Sequence, residues 1–418
     1  MRKYILSAVC LVVAAALNAQ TTKQYFLDNP KSASGHYSTY PVPVELLTPA
    51  PAGYAPVYMS HYGRHGSRYH TSRSNYTNAY KTLKDAREAE LLTPFGQSVY
   101  KRVKSLRSDA KGMDGSLTFV GTEEHRGIAE RMYKAVPEIF AGDAIISCRS
   151  TTAARCILSM AANNERLKEL NPALRISRTA TEANEESLRN EKYQEENKKD
   201  IGSVKKVVLE GLDASAFISR IFKDGIADII DQKEQVKFMR QMFALYQITG
   251  CTAHTGINLD DVFTPEELFV LWNANNAAHY QQCANSRKHG KGVTGDAKPL
   301  LKEILEDADD ALAGNGKSAD LRFGHDIGLA PLAALVNVNG VGVRVEALDD
   351  VYTLWADFLV MPMAANIQFI FYRNAENDTL VKVLYNEKES TIPGLKTVSG
   401  PYYKWSELRQ YFIGLLKK

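Results

Sequence analysis

The segment Tyr62-Gly63-Arg64-His65-Gly66-Ser67-Arg68 sets two arginines around one histidine directly after the apolar run Val57-Tyr58-Met59. Arginine stays charged at any reachable pH, and its planar fork of donors matches phosphate oxygens in pairs. Two of them would anchor a dianion. The positive field disfavours imidazolium, so at mild pH the histidine between them should carry a lone pair suited to nucleophilic attack. Gly66 removes a side chain where backbone has to come close to a ligand. Taken alone, the string also reads as a solvated basic turn with a chance histidine.

Three further segments hold similar residues: Glu123-Glu124-His125-Arg126, Ser150-Thr151 with Arg155, and His325-Asp326. Each is expected where a strand gives way to a loop. Val57 to Ser60 reads as the first strand, Leu117 to Val120 as the second, Ala144 to Cys148 as the third, and Leu321 to Gly324 as a late one. Helices are expected within Asn78 to Arg107, with Thr93-Pro94 at the start of a second helix. Others are expected from Glu124 to Tyr133, from about Ala153 to Leu170 and from Leu329 to Val336. Strand, polar loop and helix in alternation predict an α/β fold: a mostly parallel mixed sheet flanked by helices. In such sheets ligands bind at the carboxyl ends of the strands, which would gather the four segments.

Residues 20–56 are rich in Pro, Tyr, Ser and Thr and read as an extended lead. From about Thr181 to Ala313 the pattern turns helical. Val236, Met239, Phe243 and Tyr246 recur at helical spacing, and Thr264-Pro265-Glu266-Glu267 is a capping box. The charged run Glu182 to Asp200 reads as a solvated helix or loop. Strand character resumes at Leu321. Asn366 to Tyr372 and Leu380 to Tyr385 read as an antiparallel hairpin, and Trp405 to Leu416 as a closing amphipathic helix. The expected organisation is a core of residues 20–180 and 314–418 with an inserted α-helical cap domain over 181–313.

At 418 residues, 44% apolar and 24% charged, the chain is globular rather than disordered or fibrous. Arg2 and Lys3 precede the apolar run Tyr4 to Leu17, and Ala19 precedes Gln20, the pattern of an export signal over 1–19. A periplasmic or secreted location follows, with no stable membrane insertion after cleavage, because no other run is long enough to span a bilayer. Without residues 1–19 the chain keeps 49 basic against 48 acidic side chains. Bulk charge therefore gives nucleic-acid binding no support. Four cysteines remain, Cys148, Cys156, Cys251 and Cys283. Three pairings are open; Cys251 with Cys283 is a candidate staple, and buried free thiols are the alternative.

Together the segments offer a nucleophile, three arginines, a second histidine and a carboxylate. Phosphate monoesters need such an inventory, because their uncatalysed hydrolysis is so slow that enzymes accelerate it by up to about 10²¹-fold. Donors must hold the equatorial oxygens, and an acid must protonate the departing alkoxide. Asp326 is the natural acid. A neighbouring phosphate dianion would raise its pKa and favour activity below neutral pH.

Arg64-His65-Gly66-Ser67-Arg68, Ser150-Thr151 to Arg155 and Gly324-His325-Asp326 resemble the motifs of the histidine phosphatase superfamily, in its histidine acid phosphatase branch. The order and spread of the motifs over about residues 55–390 also match. The resemblance implies a phosphoglycerate mutase-like fold, phosphorylation of His65, phosphate binding by Arg64, Arg68, Arg155 and His325, and Asp326 as general acid. It implies no cofactor and no metal. The helical insertion and the export signal are further similar to the multiple inositol polyphosphate phosphatases and related phytases. Two positions depart from the pattern: His325-Asp326-Ile327 stands where those enzymes usually read His-Ala-Glu, and His70 stands where many members have proline. Phytate-like substrates thus stay open beside smaller sugar or aromatic phosphomonoesters.

Other readings attach to single residues. Arg155 could be a surface arginine of its helix. Glu124, His125 and Arg126 either line the pocket or cap a helix. His36, His70, His254, His279 and His289 are expected to be surface or satisfied histidines, and the loop Arg287 to Lys291 either steers an anion or is simply exposed. A non-catalytic periplasmic binder of phosphorylated ligands is the rival from another class, although pure binding needs neither His65 nor Asp326.

Overall fold

A computed structural model describes residues 22–228 and 230–418; the expected export signal lies outside the described residues. Eight strands form one mixed sheet in the order β3-β2-β4-β1-β5-β6-β7, with β8 also paired to β6. The strands are β1 (Ala55–Arg64), β2 (Ile145–Ser150), β3 (Arg175–Ala180), β4 (Lys317–Gly324), β5 (Asn366–Arg373), β6 (Thr379–Tyr385), β7 (Lys388–Glu389) and β8 (Tyr402–Lys404). β3, β2, β4 and β1 run parallel, and β5 and β6 continue the sheet as an antiparallel hairpin. The fold is α/β, as the alternation of elements predicts.

Both faces of the sheet are covered, so β1, β4 and β5 are buried along most of their length. Alternate side chains go to opposite layers. Tyr58 and Tyr62 pack with Leu301, Leu329 and Phe412, from the helices Lys298–Leu312, Asp326–Val336 and Trp405–Lys417. Met59 packs the other way, with Ile128 and Met160 of the helices Phe119–Ala135 and Ala154–Leu170. A further helical layer joins Ser74–Glu88 and Pro94–Asp109 to Gln232–Ile248 and Pro265–Cys283 through Leu83, Val103, Phe243 and Trp272. The capping box at Thr264 and the proline start after Thr93 are both present.

The parallel register decides what can meet. Arg64 pairs with Gly324 across β1 and β4, and Ser150 with Phe323 across β2 and β4, so three strands end at one level. β5 runs the other way, and its first residue, Asn366, lies beside Gly63. The chain leading into β5 therefore reaches the same edge.

Several local expectations are corrected. Leu117 to Val120 is no strand: Leu117 makes one isolated bridge to Arg68, and the helix begins at Phe119. Thr118 takes the N-cap instead, its Oγ1 accepting from the Gly121 N–H while its own N–H donates to the Ser67 carbonyl. The lead is not extended throughout, since Lys23–Asp28 is a short helix and Pro30–Tyr37 a 3₁₀ turn. The edge strand β3 was not expected; its polar, mostly exposed side chains hide the period-2 signal. Among the described residues Cys148, Cys156, Cys251 and Cys283 are free and buried. The Cys251 thiol donates to the Tyr37 carbonyl and belongs to a different apolar cluster from Cys283, which removes the candidate staple.

One buried ionic network ties a helix to the sheet. Arg322 on β4 is fully buried; it donates to Glu303 at 2.8 Å, to Ser60 at 3.0 Å and to Asp307. Arg149 on β2 meets Asp320 at 2.6 Å and Glu303 at 2.9 Å, and the Tyr58 hydroxyl donates to Asp320 at 2.8 Å. Removing Arg322 leaves Glu303, Asp307 and Asp320 to share Arg149 and Lys317, one cation too few, so Arg322→Met should cost about 3–5 kcal/mol. Denaturant unfolding measures this, and a loss under about 1 kcal/mol would show that the network is dispensable.

Candidate active site

His65 follows β1 and is held by backbone on both sides, its N–H donating to the Gly324 carbonyl at 2.9 Å and its carbonyl accepting from Ala364 at 3.0 Å. The ring Nδ1 lies 2.9 Å from the Gly66 carbonyl. A carbonyl can only accept, so Nδ1 carries the proton and Nε2 keeps its lone pair. Burial first, then Arg68, Arg64, Arg155 and His325, push the imidazole well below its usual pKa, and it stays neutral in mild acid.

The other expected residues converge on it. Arg64 is fully buried, with Nη1 donating to the carbonyls of His36 and Met361, both at 2.5 Å, and Nη2 2.7 Å from the Asp326 carboxylate. Arg68 donates to the Tyr69 carbonyl at 2.9 Å and lies over the Tyr37 ring, 5.1 Å from its centroid. Arg155 reaches across from the 154–170 helix and donates to His325 Nδ1 at 3.2 Å. That bond makes Nδ1 the acceptor and leaves Nε2–H for Thr151 Oγ1, 3.1 Å away. The two histidine rings are 5.6 Å apart and nearly perpendicular. Burial, then Arg155, lower the His325 pKa to about 3.

Asp326 opens the 326–336 helix, and its Oδ1 accepts from the Ile327 N–H at 3.0 Å. Burial would raise its pKa, but the Arg64 guanidinium 2.7 Å away, with Arg68, outweighs it and holds the carboxyl well below the ordinary range. Without a bound anion the group is therefore a carboxylate; the expected rise applies to the pocket with a phosphate dianion beside it. The guanidiniums that would serve a phosphate act on Asp326 instead.

The sequence did not show what holds these loops. Glu124 accepts from the Ser67 N–H at 2.7 Å, the Ser67 hydroxyl at 2.8 Å and the Tyr40 N–H at 2.9 Å, so it braces the loop after β1. Ser159 accepts from the Gly66 N–H at 3.0 Å. The protein itself requires glycine at position 66, since a Cβ there would lie 2.5 Å from the Gly121 carbonyl. The Tyr62 hydroxyl donates to the Leu188 carbonyl at 2.7 Å and accepts from the His325 N–H at 3.1 Å. The run Glu182 to Asp200 is helical, and it does more than meet solvent: Glu185 accepts from the Thr152 N–H and hydroxyl.

Some residues stay outside. Arg126 pairs with Glu169, and His125 is buried between β1 and its helix layer, near Phe323. The loop Arg287 to Lys291 is spent on ion pairs, Arg287 with Glu346 and Lys288 with Asp200. His254 pairs with Asp109, and His289 with Asp200. His70 is buried and satisfied, bonded to the Tyr37 hydroxyl and the Ala244 carbonyl. It also lines a cavity of about 550 Å³, whose wall includes His36 and Tyr37, the residues that touch Arg64 and Arg68. Lys205, Lys237 and Arg240 line it too, and no described lining residue is acidic. Lys237 and Arg240 stand three residues apart on one helix face, a spacing visible in the sequence; Lys205 carried no such signal.

The architecture matches that of the Bifidobacterium longum multiple inositol polyphosphate phosphatase in its complex with inositol hexasulfate. The TM-score is 0.78 at 20% identity, over 90% of this chain and 97% of that one. The fold is that of the multiple inositol polyphosphate phosphatases. The apo form of the same B. longum enzyme gives 0.79 at 19% identity, over 90% and 97%. The phytase from D. castellii gives 0.71 at 15% identity, over 95% of this chain and 87% of that one. No protein-family model matches the chain, and no curated protein matches it by sequence. The phosphatase fold is thus retained at identities where only the architecture carries over.

Proposed function

We propose that the chain is an exported phosphomonoesterase that works through a phosphohistidine on His65, with inositol polyphosphates as its substrate class. The observation that carries this reading is the Nδ1 contact of His65 to the Gly66 carbonyl, which leaves Nε2 unprotonated within reach of the field of Arg64, Arg68 and Arg155. Nε2 attacks phosphorus and the ester P–O bond breaks. The departing alkoxide takes a proton from Asp326. Water then attacks the phosphohistidine, the Asp326 carboxylate accepts a proton from that water, and inorganic phosphate leaves.

Asp326 must first acquire its proton, because the arginines keep it ionised in the empty pocket. A phosphate monoester has a second pKa near about 6, so below that pH the substrate itself brings one. Once the phosphoryl oxygens take over the guanidiniums, the field on Asp326 reverses and the proton can move to the carboxylate.

The basic cavity supports a substrate with several phosphates. A single phosphate employs the arginines around His65 and leaves Lys205 and Arg240 without an anion, while Lys237 has Glu234 at 3.1 Å. Burial, then Arg240, lower the Lys205 pKa, an energetic cost that a second phosphate would relieve. An inositol ring carrying phosphates on neighbouring carbons would meet both groups of cations.

Rapid mixing with inositol hexakisphosphate followed by alkaline quench should trap phosphate on His65 through an acid-labile bond, and His65→Ala should trap none. Substrate bound without turnover would favour a binding protein, and absence of phosphoenzyme with activity lost to chelators would sink the reading. The proton route requires kcat/KM on inositol phosphates to fall as pH rises through about 6, since the substrate then arrives unprotonated. Asp326→Asn should cost far more on inositol phosphates than on a nitrophenyl ester, whose leaving group needs no proton; equal losses would remove Asp326 from that role. Lys205→Gln or Arg240→Gln should raise KM for inositol hexakisphosphate about tenfold, the worth of one charge-assisted hydrogen bond, and leave nitrophenyl phosphate nearly unaffected.

A further inference from the structure

His36, His279 and Asp357 come from three distant stretches: the 30–37 turn, the 265–283 helix and the approach to β5. Their donor atoms, one from each residue, all lie within 4.8 Å of one another. Asp357 is fully buried. Its Oδ2 is 2.8 Å from His279 Nδ1, and its Oδ1 accepts from Trp272 Nε1 at 2.9 Å. Its backbone N–H donates to Asn276 at 2.9 Å, which fixes the main chain that carries the carboxylate. Gly35, at φ +58°, is pressed against it, and a Cβ there would lie 2.9 Å from Oδ2.

The group is built more tightly than an isolated ion pair requires. The His36 and His279 rings are 4.3 Å apart and close to perpendicular. Among the described residues His36 Nδ1 is buried without a hydrogen-bond partner, a state that costs free energy unless something else takes the lone pair or the proton. Burial and the neighbouring His279, Arg64, Arg68 and Lys205 keep this imidazole neutral, so a lone pair is available. Both histidines line the 550 Å³ cavity, which supplies an entry path and room for an exchangeable ligand.

We propose that His36, His279 and Asp357 bind a borderline transition-metal ion such as Zn²⁺, at a site distinct from the residues that would carry phosphoryl transfer. Two imidazoles and one carboxylate are a donor set such an ion accepts, and Trp272 supplies an outer hydrogen bond that holds the carboxylate. The ion replaces the proton between His279 and Asp357. Ligands of a tetrahedral ion stand about 3.3 Å apart at bond lengths of 2.0–2.1 Å, so the 2.8 Å pair has to open by about half an ångström. The fourth position faces the cavity and takes water or an anion oxygen.

Lys205, Arg64 and Arg68 oppose a divalent cation here. An anion in the cavity offsets them, and metal and anion must then raise each other's affinity by the same factor.

Calorimetric titration of the metal-stripped full chain with Zn²⁺ tests this, in chloride and again with sulfate as the anion, and does not depend on turnover. One equivalent should bind, more tightly in sulfate, and His36→Gln and His279→Gln should each weaken it by at least about tenfold. His254→Gln, a histidine outside the cluster, should leave binding unchanged. Both cluster variants should keep the wild-type unfolding midpoint within a few degrees, so that lost binding is not lost folding. Absence of stoichiometric binding, or binding that survives both cluster substitutions, overturns the site; equal affinity in chloride and sulfate overturns the coupling. If the site binds Zn²⁺ as expected but no phosphohistidine forms, the phosphatase reading fails alone.

Discussion

β1, β4 and β2 run parallel and stop at the same level, and this register is the constraint on which the rest of the molecule depends. A one-residue slip of β1 against β4 would move Arg64 away from Gly324 and turn its side chain to the other face of the sheet. The loops that carry His65, Thr151 and His325 would no longer meet. Covering helices on both faces and the Arg322 and Arg149 network hold the register, since each arginine links a central strand to the 298–312 helix. A buried cation that finds its counter-charge in only one register acts against slippage as well as for stability.

The pocket that results concentrates positive charge in a place with little water. Arg64 has no exposure, and its guanidinium is shared among two carbonyls and the Asp326 carboxylate. Burial and this field together keep His65 and His325 neutral, and the field keeps Asp326 ionised. In the proposed reaction an arriving phosphate would reverse the balance at Asp326 by taking over the guanidiniums, so that proton supply and anion binding become parts of one electrostatic event.

Much of the fold was legible because covered strands and amphipathic helices leave strong periodic traces. Val57 to Ser60, Leu321 to Gly324, the hairpin from Asn366 to Tyr385 and the Thr264 cap all lie where their patterns place them. Leu117 to Val120 failed for a definite reason: four residues of strand-like composition sit at a helix start, where Thr118 caps and Gly121 lets the Ser67 backbone approach. β3 failed in the opposite way, as an edge strand with polar side chains that owes its conformation to β2 alone.

The sequence by itself determined the reactive inventory. Arg64, His65, Arg68, Arg155, His325 and Asp326 are short-range patterns, readable because a strand end is a local event and because their chemistry belongs to the residue types. Only the tertiary structure decided which lone pair is free, that Asp326 is ionised before an anion binds, and that Gly66 makes room for the Gly121 backbone. It also decided that His36 meets Arg64 and gathers His279, Asp357 and Lys205 around itself. Those outcomes depend on distance, burial and hydrogen-bond direction between segments up to 321 residues apart, from His36 to Asp357, and no local pattern encodes them.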